Sequence, residues 1–160
     1  MSFNLDRCAK RIGTWNVRSL SRPGKMANVI MEMKRMGVEV MGIAETWSQG
    51  DGSFTTQLPD NEEGGRYSFL FRGDRRKGVS VIVSEDVTKS VLMYEPISER
   101  IIVMRLQATP GNILIFQIYA PCEEAEEEEK ERFYERLDQV IADFKKGREC
   151  LVVMVISTEK

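Results

Sequence analysis

Histidine is absent from the 160 residues, so no imidazole is available as a general base or metal ligand. Cysteine is scarce. Cys8, Cys122 and Cys150 are odd in number and lack C-x-x-C spacing, which argues against a disulfide framework or a zinc site. Reduced thiols in an intracellular protein are the expectation. Long apolar runs are missing as well: none approaches the roughly 20 residues that cross a bilayer. The opening "MSFNLDRCAK" carries charges where a signal peptide needs an apolar core. No membrane association is therefore expected. The chain also lacks a large charge excess. Its net charge of −2 disfavours holding nucleic acid by bulk attraction alone, though a local basic patch is compatible with it.

What is present is ordinary for a globular protein, with 42% hydrophobic and 30% charged residues. The length suits one domain with a sizeable core. Residues 1–10 read as an N-terminal tail and 11–160 as a single domain without internal repeats.

"RIGTWNV" from Arg11 reads as a strand that breaks into the Pro- and Gly-punctuated loop "RSLSRPG". Met26, Val29, Ile30 and Met33 then recur at helical spacing, and Gly37 closes that helix. "VEVMGIAE" follows as a mostly apolar strand. Asp51 to Gly65, rich in Gly and acids, reads as a long surface loop. "RYSFLF" and "GVSVIVS" bracket "RGDRRK", a hairpin with a basic turn, and "RIIVMRLQ" and "NILIFQIYAP" bracket "ATPG" as a second hairpin. Phe133, Leu137, Val140, Ile141 and Phe144 form another helical stripe, which predicts a helix over 124–146. Its acidic start (Glu123 to Glu129) and basic end (Lys145, Lys146, Arg148) match a helix dipole, with Gly147 as the C-cap. "CLVVMVI" begins a last strand. The class is α/β or α+β with many strands.

Three polar residues stand at the ends of apolar strands: Asn16, Glu45 and Tyr119. Loops at strand ends are where a rigid sheet aims side chains at a ligand. A hard cation such as Mg²⁺ takes carboxylate oxygen and tolerates amide oxygen, and a phenol hydrogen-bonds phosphate. The plainer alternative is that all three merely cap strands. Arg72, Arg75, Arg76 and Lys77 could grip a phosphate backbone, or form a solvated turn. Arg18, Arg22 and Lys25 could extend that surface, and Trp47 reads better as packing than as a stacking platform.

The strings "TWNVRSL", "GVEVMGIAETW", "GVSVIVSEDV", "SERIIVMRL" and "IFQIYAP", in this order, resemble the endonuclease/exonuclease/phosphatase superfamily. The nearest branch looks like the retrotransposon-derived endonuclease domains of the craniofacial development protein 2 type. The likeness runs from about Arg11 to Met154. It implies a four-layer α/β sandwich, of which this chain would be the N-terminal part, and Mg²⁺-dependent hydrolysis of phosphate esters. By the same likeness Glu45 would be a metal ligand, Asn16 would lie beside metal and phosphate, and Tyr119 would contact the scissile phosphate.

The pattern then breaks. The superfamily continues "LVVMGDFN", whose Asp and Asn hold phosphate and help orient water. Here Ile156 stands in place of the Asp and Thr158 in place of the Asn. Neither an alkyl chain nor a lone hydroxyl does a carboxylate's work on a metal-bound phosphate. The later Ser-Asp-His motif is missing too, so the departure after Met154 reads as a truncation. The expectation is a C-terminally truncated and inactive relative of Mg²⁺-dependent nucleases, with vestigial Asn16 and Tyr119. Alternatives are a weak nucleic-acid phosphodiester hydrolase, and a non-enzymatic module that self-associates or binds a partner protein through an uncovered sheet.

Overall fold

The computed structural model describes residues 3–4, 11–17, 24–45, 50–57, 66–74 and 77–157. The short strand β1 (Phe3–Asn4) precedes β2 (Arg11–Asn16), where the first long strand was expected. Helix α1 (Lys25–Met36) buries Val29, Ile30 and Met33. Gly37 ends it at a φ of 65°, a left-handed conformation that glycine adopts without a Cβ clash. The chain then returns as β3 (Val38–Ala44), parallel to β2, as a helical crossover requires.

Strands β4 (Gly50–Gln57), β5 (Arg66–Asp74) and β6 (Lys77–Ser84) complete a five-stranded sheet in the order β2-β3-β6-β5-β4. Two sequence expectations are corrected here. The loop expected from Asp51 begins instead as β4, paired with β5 along its whole length. Its glycines masked the β-favouring Phe and Thr between them, and the open edge of β5 supplied the hydrogen bonds. The basic turn is also shorter than expected. The β5–β6 ladder continues to the pair Asp74 and Lys77, so Arg72 and Lys77 are strand residues. Arg75 and Arg76 lie outside the described residues.

A one-turn helix, α2 (Glu85–Thr88), is capped by the Ser84 hydroxyl, which accepts from the Val87 N–H. It leads to β7 (Val91–Ser98), β8 (Ile101–Leu106), the short β9 (Ala108–Thr109), β10 (Ile113–Ala120), α3 (Glu127–Phe144) and β11 (Cys150–Ser157). The second sheet has the order β11-β10-β8-β7, with β8 and β10 antiparallel and β10 and β11 parallel. Strand β7 went unread in the sequence because Glu95 and Pro96 interrupt it; an edge strand tolerates both. Part of the presumed N-terminal tail is ordered into this architecture, since β1 pairs with β9.

Helix α3 is shorter than the acidic and basic runs suggested. It starts at Glu127, and Lys145 caps it by donating its N–H to the Ile141 carbonyl. Lys146 and Arg148 therefore lie beyond the helix. Gly147 is not the cap; its φ of 55° turns the chain toward β11.

Val40, Val81 and Leu70 of the first sheet meet Ile102, Met104, Ile115 and Met154 of the second in one closed core. Helix α1 covers the outer face of the first sheet through contacts with Met41, Ile43 and Phe69. Helix α3 covers the outer face of the second with Phe133, Leu137 and Val140 against Leu114 and Phe116. The result is a four-layer α/β sandwich. The uncovered inner sheet face expected from the sequence is corrected: both sheets are present and their inner faces close on each other. Among the described residues no helix is long and apolar enough to cross a membrane.

Candidate functional site

Strands β2 and β3 end together. Asn16 and Ala44 are register partners, and the same rung continues through Val79 on β6 to Arg72 on β5. Ala44, Val79 and Leu70 belong to the inner core, so side-chain alternation puts Asn16 and Arg72 on that same face. Neighbouring strands are about 4.8 Å apart, which sets Arg72 roughly 14 Å along the rung from Asn16. The start of β6 at Lys77 rises from this end of the sheet.

Alternation alone would send Glu45 to the opposite face. Its φ of 57° is left-handed, uncommon for a residue with a Cβ, and its N–H donates to the Gly78 carbonyl at 2.9 Å. Turned in this way, the carboxylate crosses to the second sheet. Tyr119 Oη donates to Glu45 Oε1 at 2.8 Å. The structure thus brings Glu45 and Tyr119 into contact and leaves Asn16 on the adjoining strand, beside them.

Sequence reasoning missed Arg100, which holds Tyr119 from behind. The Tyr119 N–H donates to the Arg100 carbonyl at 2.8 Å. Arg100 Nη1 donates to the Tyr119 carbonyl at 3.0 Å, and Nη2 to Glu129 Oε1 at 3.3 Å. The guanidinium carbon lies 5.1 Å from the centre of the Tyr119 ring, within cation–π range. The only signal in the sequence was a cation in the short connection between two strands.

The strand beside Tyr119 adds an apolar neighbour. Ile156 is the register partner of Tyr119 on the parallel strand β11, and its side chain is buried in the inner core. One inward step below Tyr119, Gln117 is fully buried, and neither polar atom of its amide has a hydrogen-bond partner. It fits against β3 only because position 42 is glycine; a Cβ there would overlap the amide.

Among the described residues no three His, Cys, Asp or Glu side chains cluster as a metal cage. Glu45 places a carboxylate in contact with Tyr119. Such a donor set suits a cation completed by phosphate and water, as Mg²⁺ often is, better than one held by protein alone. Arg18, Arg22, Trp47, Arg75, Arg76 and Thr158 lie outside the described residues.

Residues 13–154 match the model of the Endonuclease/Exonuclease/phosphatase family. The chain belongs to the endonuclease/exonuclease/phosphatase family. It is similar to craniofacial development protein 2 of Bos taurus, 37% identical over 138 residues that make up 84% of this chain and 22% of that protein. The Tragulus javanicus protein of the same name is 36% identical, with 84% and 23% covered. The chain thus spans under a quarter of these family members. Among solved structures it resembles the endonuclease domain of TRAS1, a telomere-specific non-LTR retrotransposon, with a TM-score of 0.56 and 14% identity; 91% of this chain and 57% of that domain are covered. An AP endonuclease from Archaeoglobus fulgidus gives a TM-score of 0.55 at 21% identity, covering 90% of this chain and 55% of that one. At these identities the two structures support the family's fold.

Proposed function

We propose that this chain keeps the phosphate-facing end of a phosphodiesterase pocket but does not turn substrate over. The observation that carries this reading is the neighbour of Tyr119: a buried Ile156 side chain, where the family motif read in the sequence places a carboxylate. Glu45 would hold Mg²⁺ together with a substrate phosphate, and Asn16 would add an amide oxygen or donor beside it. The ion, when bound, supplies Lewis-acid polarisation of a phosphoryl oxygen. Tyr119 then offers its hydroxyl to a phosphate oxygen, held in aim by Arg100.

Arg72, with Arg75, Arg76 and Lys77, would lie along the backbone of a nucleic acid. With a net charge of −2, that attraction is local and sensitive to salt. Free Cys122 and Cys150 fit a reducing, intracellular setting. Hydrolysis needs more: a water aimed in line at phosphorus and charge stabilisation opposite it. Ile156 and Thr158 supply neither carboxylate nor amide, and the 160 residues hold no histidine. General acid–base help alone is worth about 10²–10⁴ in rate.

A second reading, slow residual hydrolysis, draws support from the preserved Glu45–Tyr119 contact. Nicking of supercoiled plasmid with Mg²⁺ by wild type and by Glu45→Ala, beside a full-length relative, separates the two. Neither is expected to cut above background. Weak Mg²⁺ binding, followed by calorimetry, is expected in wild type and lost in Glu45→Ala. Robust nicking that Glu45→Ala abolishes would make the chain a working enzyme.

A further inference from the structure

A phenol carries a single hydrogen. Tyr119, which is only 8% exposed, directs it at Glu45 Oε1, 2.8 Å away. The phosphate contact proposed above asks for the same hydrogen, and Tyr119 cannot donate it to both acceptors at once. Glu45 faces the matching conflict. A hydrogen bond to a charged oxygen stabilises the carboxylate as it stands, and that stabilisation is lost when the same oxygen is turned to a cation.

The backbones on either side of this contact are pinned. The Glu45 N–H is tied to the Gly78 carbonyl at 2.9 Å, and the Tyr119 N–H to the Arg100 carbonyl at 2.8 Å. The Tyr119 carbonyl accepts from Arg100 Nη1 at 3.0 Å, and the guanidinium carbon lies 5.1 Å from the ring centre. The motions left to the pair are local: rotation of the Glu45 carboxylate, and of the hydroxyl hydrogen about the Cζ–Oη bond. Neither requires a strand to shift.

We propose that the Tyr119–Glu45 hydrogen bond is a latch that makes binding at this end of the sandwich ordered, cation before phosphate. While Glu45 holds the hydroxyl, the phenol is withheld from phosphate, and a phosphate arriving then also meets the negative charge of the carboxylate. Turning Glu45 to Mg²⁺ offsets that charge and hands the hydroxyl to the phosphate in the same step. Coupling of this kind is reciprocal, so each ligand strengthens the other. The latch rests on the reading of Glu45 as the cation ligand, but not on whether hydrolysis follows.

Tyr119→Phe keeps the ring and removes the hydroxyl. Its affinity for Mg²⁺ alone, measured by calorimetry, is expected to rise about tenfold over wild type, the order set by a hydrogen bond to a charged group. Binding of a short DNA duplex, read by fluorescence anisotropy at matched ionic strength, is expected to gain more from Mg²⁺ in wild type than in Tyr119→Phe. Nuclear magnetic resonance of isotope-labelled tyrosines reads the latch in the wild type without a substitution: the Tyr119 ring signal is expected to move when Mg²⁺ is added with no phosphate present. Glu45→Gln keeps a carbonyl acceptor for the hydroxyl and is expected to leave that signal unmoved by Mg²⁺. Equal or weaker Mg²⁺ binding by Tyr119→Phe overturns the latch alone and makes Tyr119 an aid to Glu45. So does an equal gain in duplex binding by both proteins, or a Tyr119 signal indifferent to Mg²⁺ that the wild type binds. Absence of Mg²⁺ binding from both proteins removes the Glu45 reading and the latch with it.

Discussion

Arg100 grips Tyr119 through both its backbone and its side chain, while Glu129 touches only the outer edge of the guanidinium. The two therefore contribute unequally. The Arg100 side chain is 15% exposed and that of Glu129 is 45% exposed. Arg100→Met removes a charged hydrogen bond to the Tyr119 carbonyl and the stacking on its ring, an expected loss of about 1.5–3 kcal/mol in urea unfolding. Glu129→Ala breaks a screened pair and is expected to cost less than about 1 kcal/mol. Equal losses would mean that the salt bridge, not the tyrosine, is what Arg100 serves. The placement of Asn16, Glu45 and Tyr119 at strand ends was legible in the sequence because each follows an apolar run. Arg100 was not, because an arginine between strands looks like any solvated cation. The left-handed turn that swings Glu45 across the core was equally hidden, since nothing in "IAETW" marks a positive φ.

The elements follow the same division. β3, β8 and β10 were readable because both faces of each are covered, leaving mostly apolar runs. β4 and β7 were not, since strands at a sheet edge need little apolar content. The end of α3 was misplaced by its basic residues, and the structure shows what fixes it instead. Arg105, on the outer face of β8 and 9% exposed, donates to the Phe144 carbonyl at 2.6 Å and to Glu149 Oε1 at 3.0 Å. It joins the sheet, the last turn of the helix and the approach to β11. Glu149→Ala leaves that guanidinium buried without its countercharge, at an expected cost of about 3 kcal/mol, the low end for breaking such a pair. The Phe144 carbonyl still accepts, which keeps the cost from rising further. Chemical denaturation measures it, and a loss below about 1 kcal/mol would show that water reaches the pair.

At the scale of the whole molecule, the four layers were foreseen from family resemblance, but the closed core between the sheets was not. An abrupt change of motif after Met154 suggested half a sandwich. Yet Met154 and Ile156 both pack into the inner core, and Ile156 does so because it is an alkyl residue. An alkyl residue where the resemblance implies a carboxylate adds apolar burial at that spot. How the sheets dock depends on a pair that neither sheet's own pattern reveals, Gln117 against Gly42. Gly42→Ala is expected to cost about 1–3 kcal/mol by overpacking. In the double variant Gly42→Ala/Gln117→Ala, part of that loss is expected to return, with a coupling of about 0.5–3 kcal/mol in thermal or urea unfolding. Additive losses would mean that the amide simply rotates away.

The fit of Gln117 into the space above Gly42 also constrains how this sequence can drift. Two positions far apart in the chain share one small volume, so a change at either alters what the other tolerates. Among family members, a side chain at the counterpart of Gly42 is expected to be accompanied by a shorter residue at the counterpart of Gln117. The pair then works as a key and its slot between the sheets, close along both strands to where Tyr119 meets Glu45.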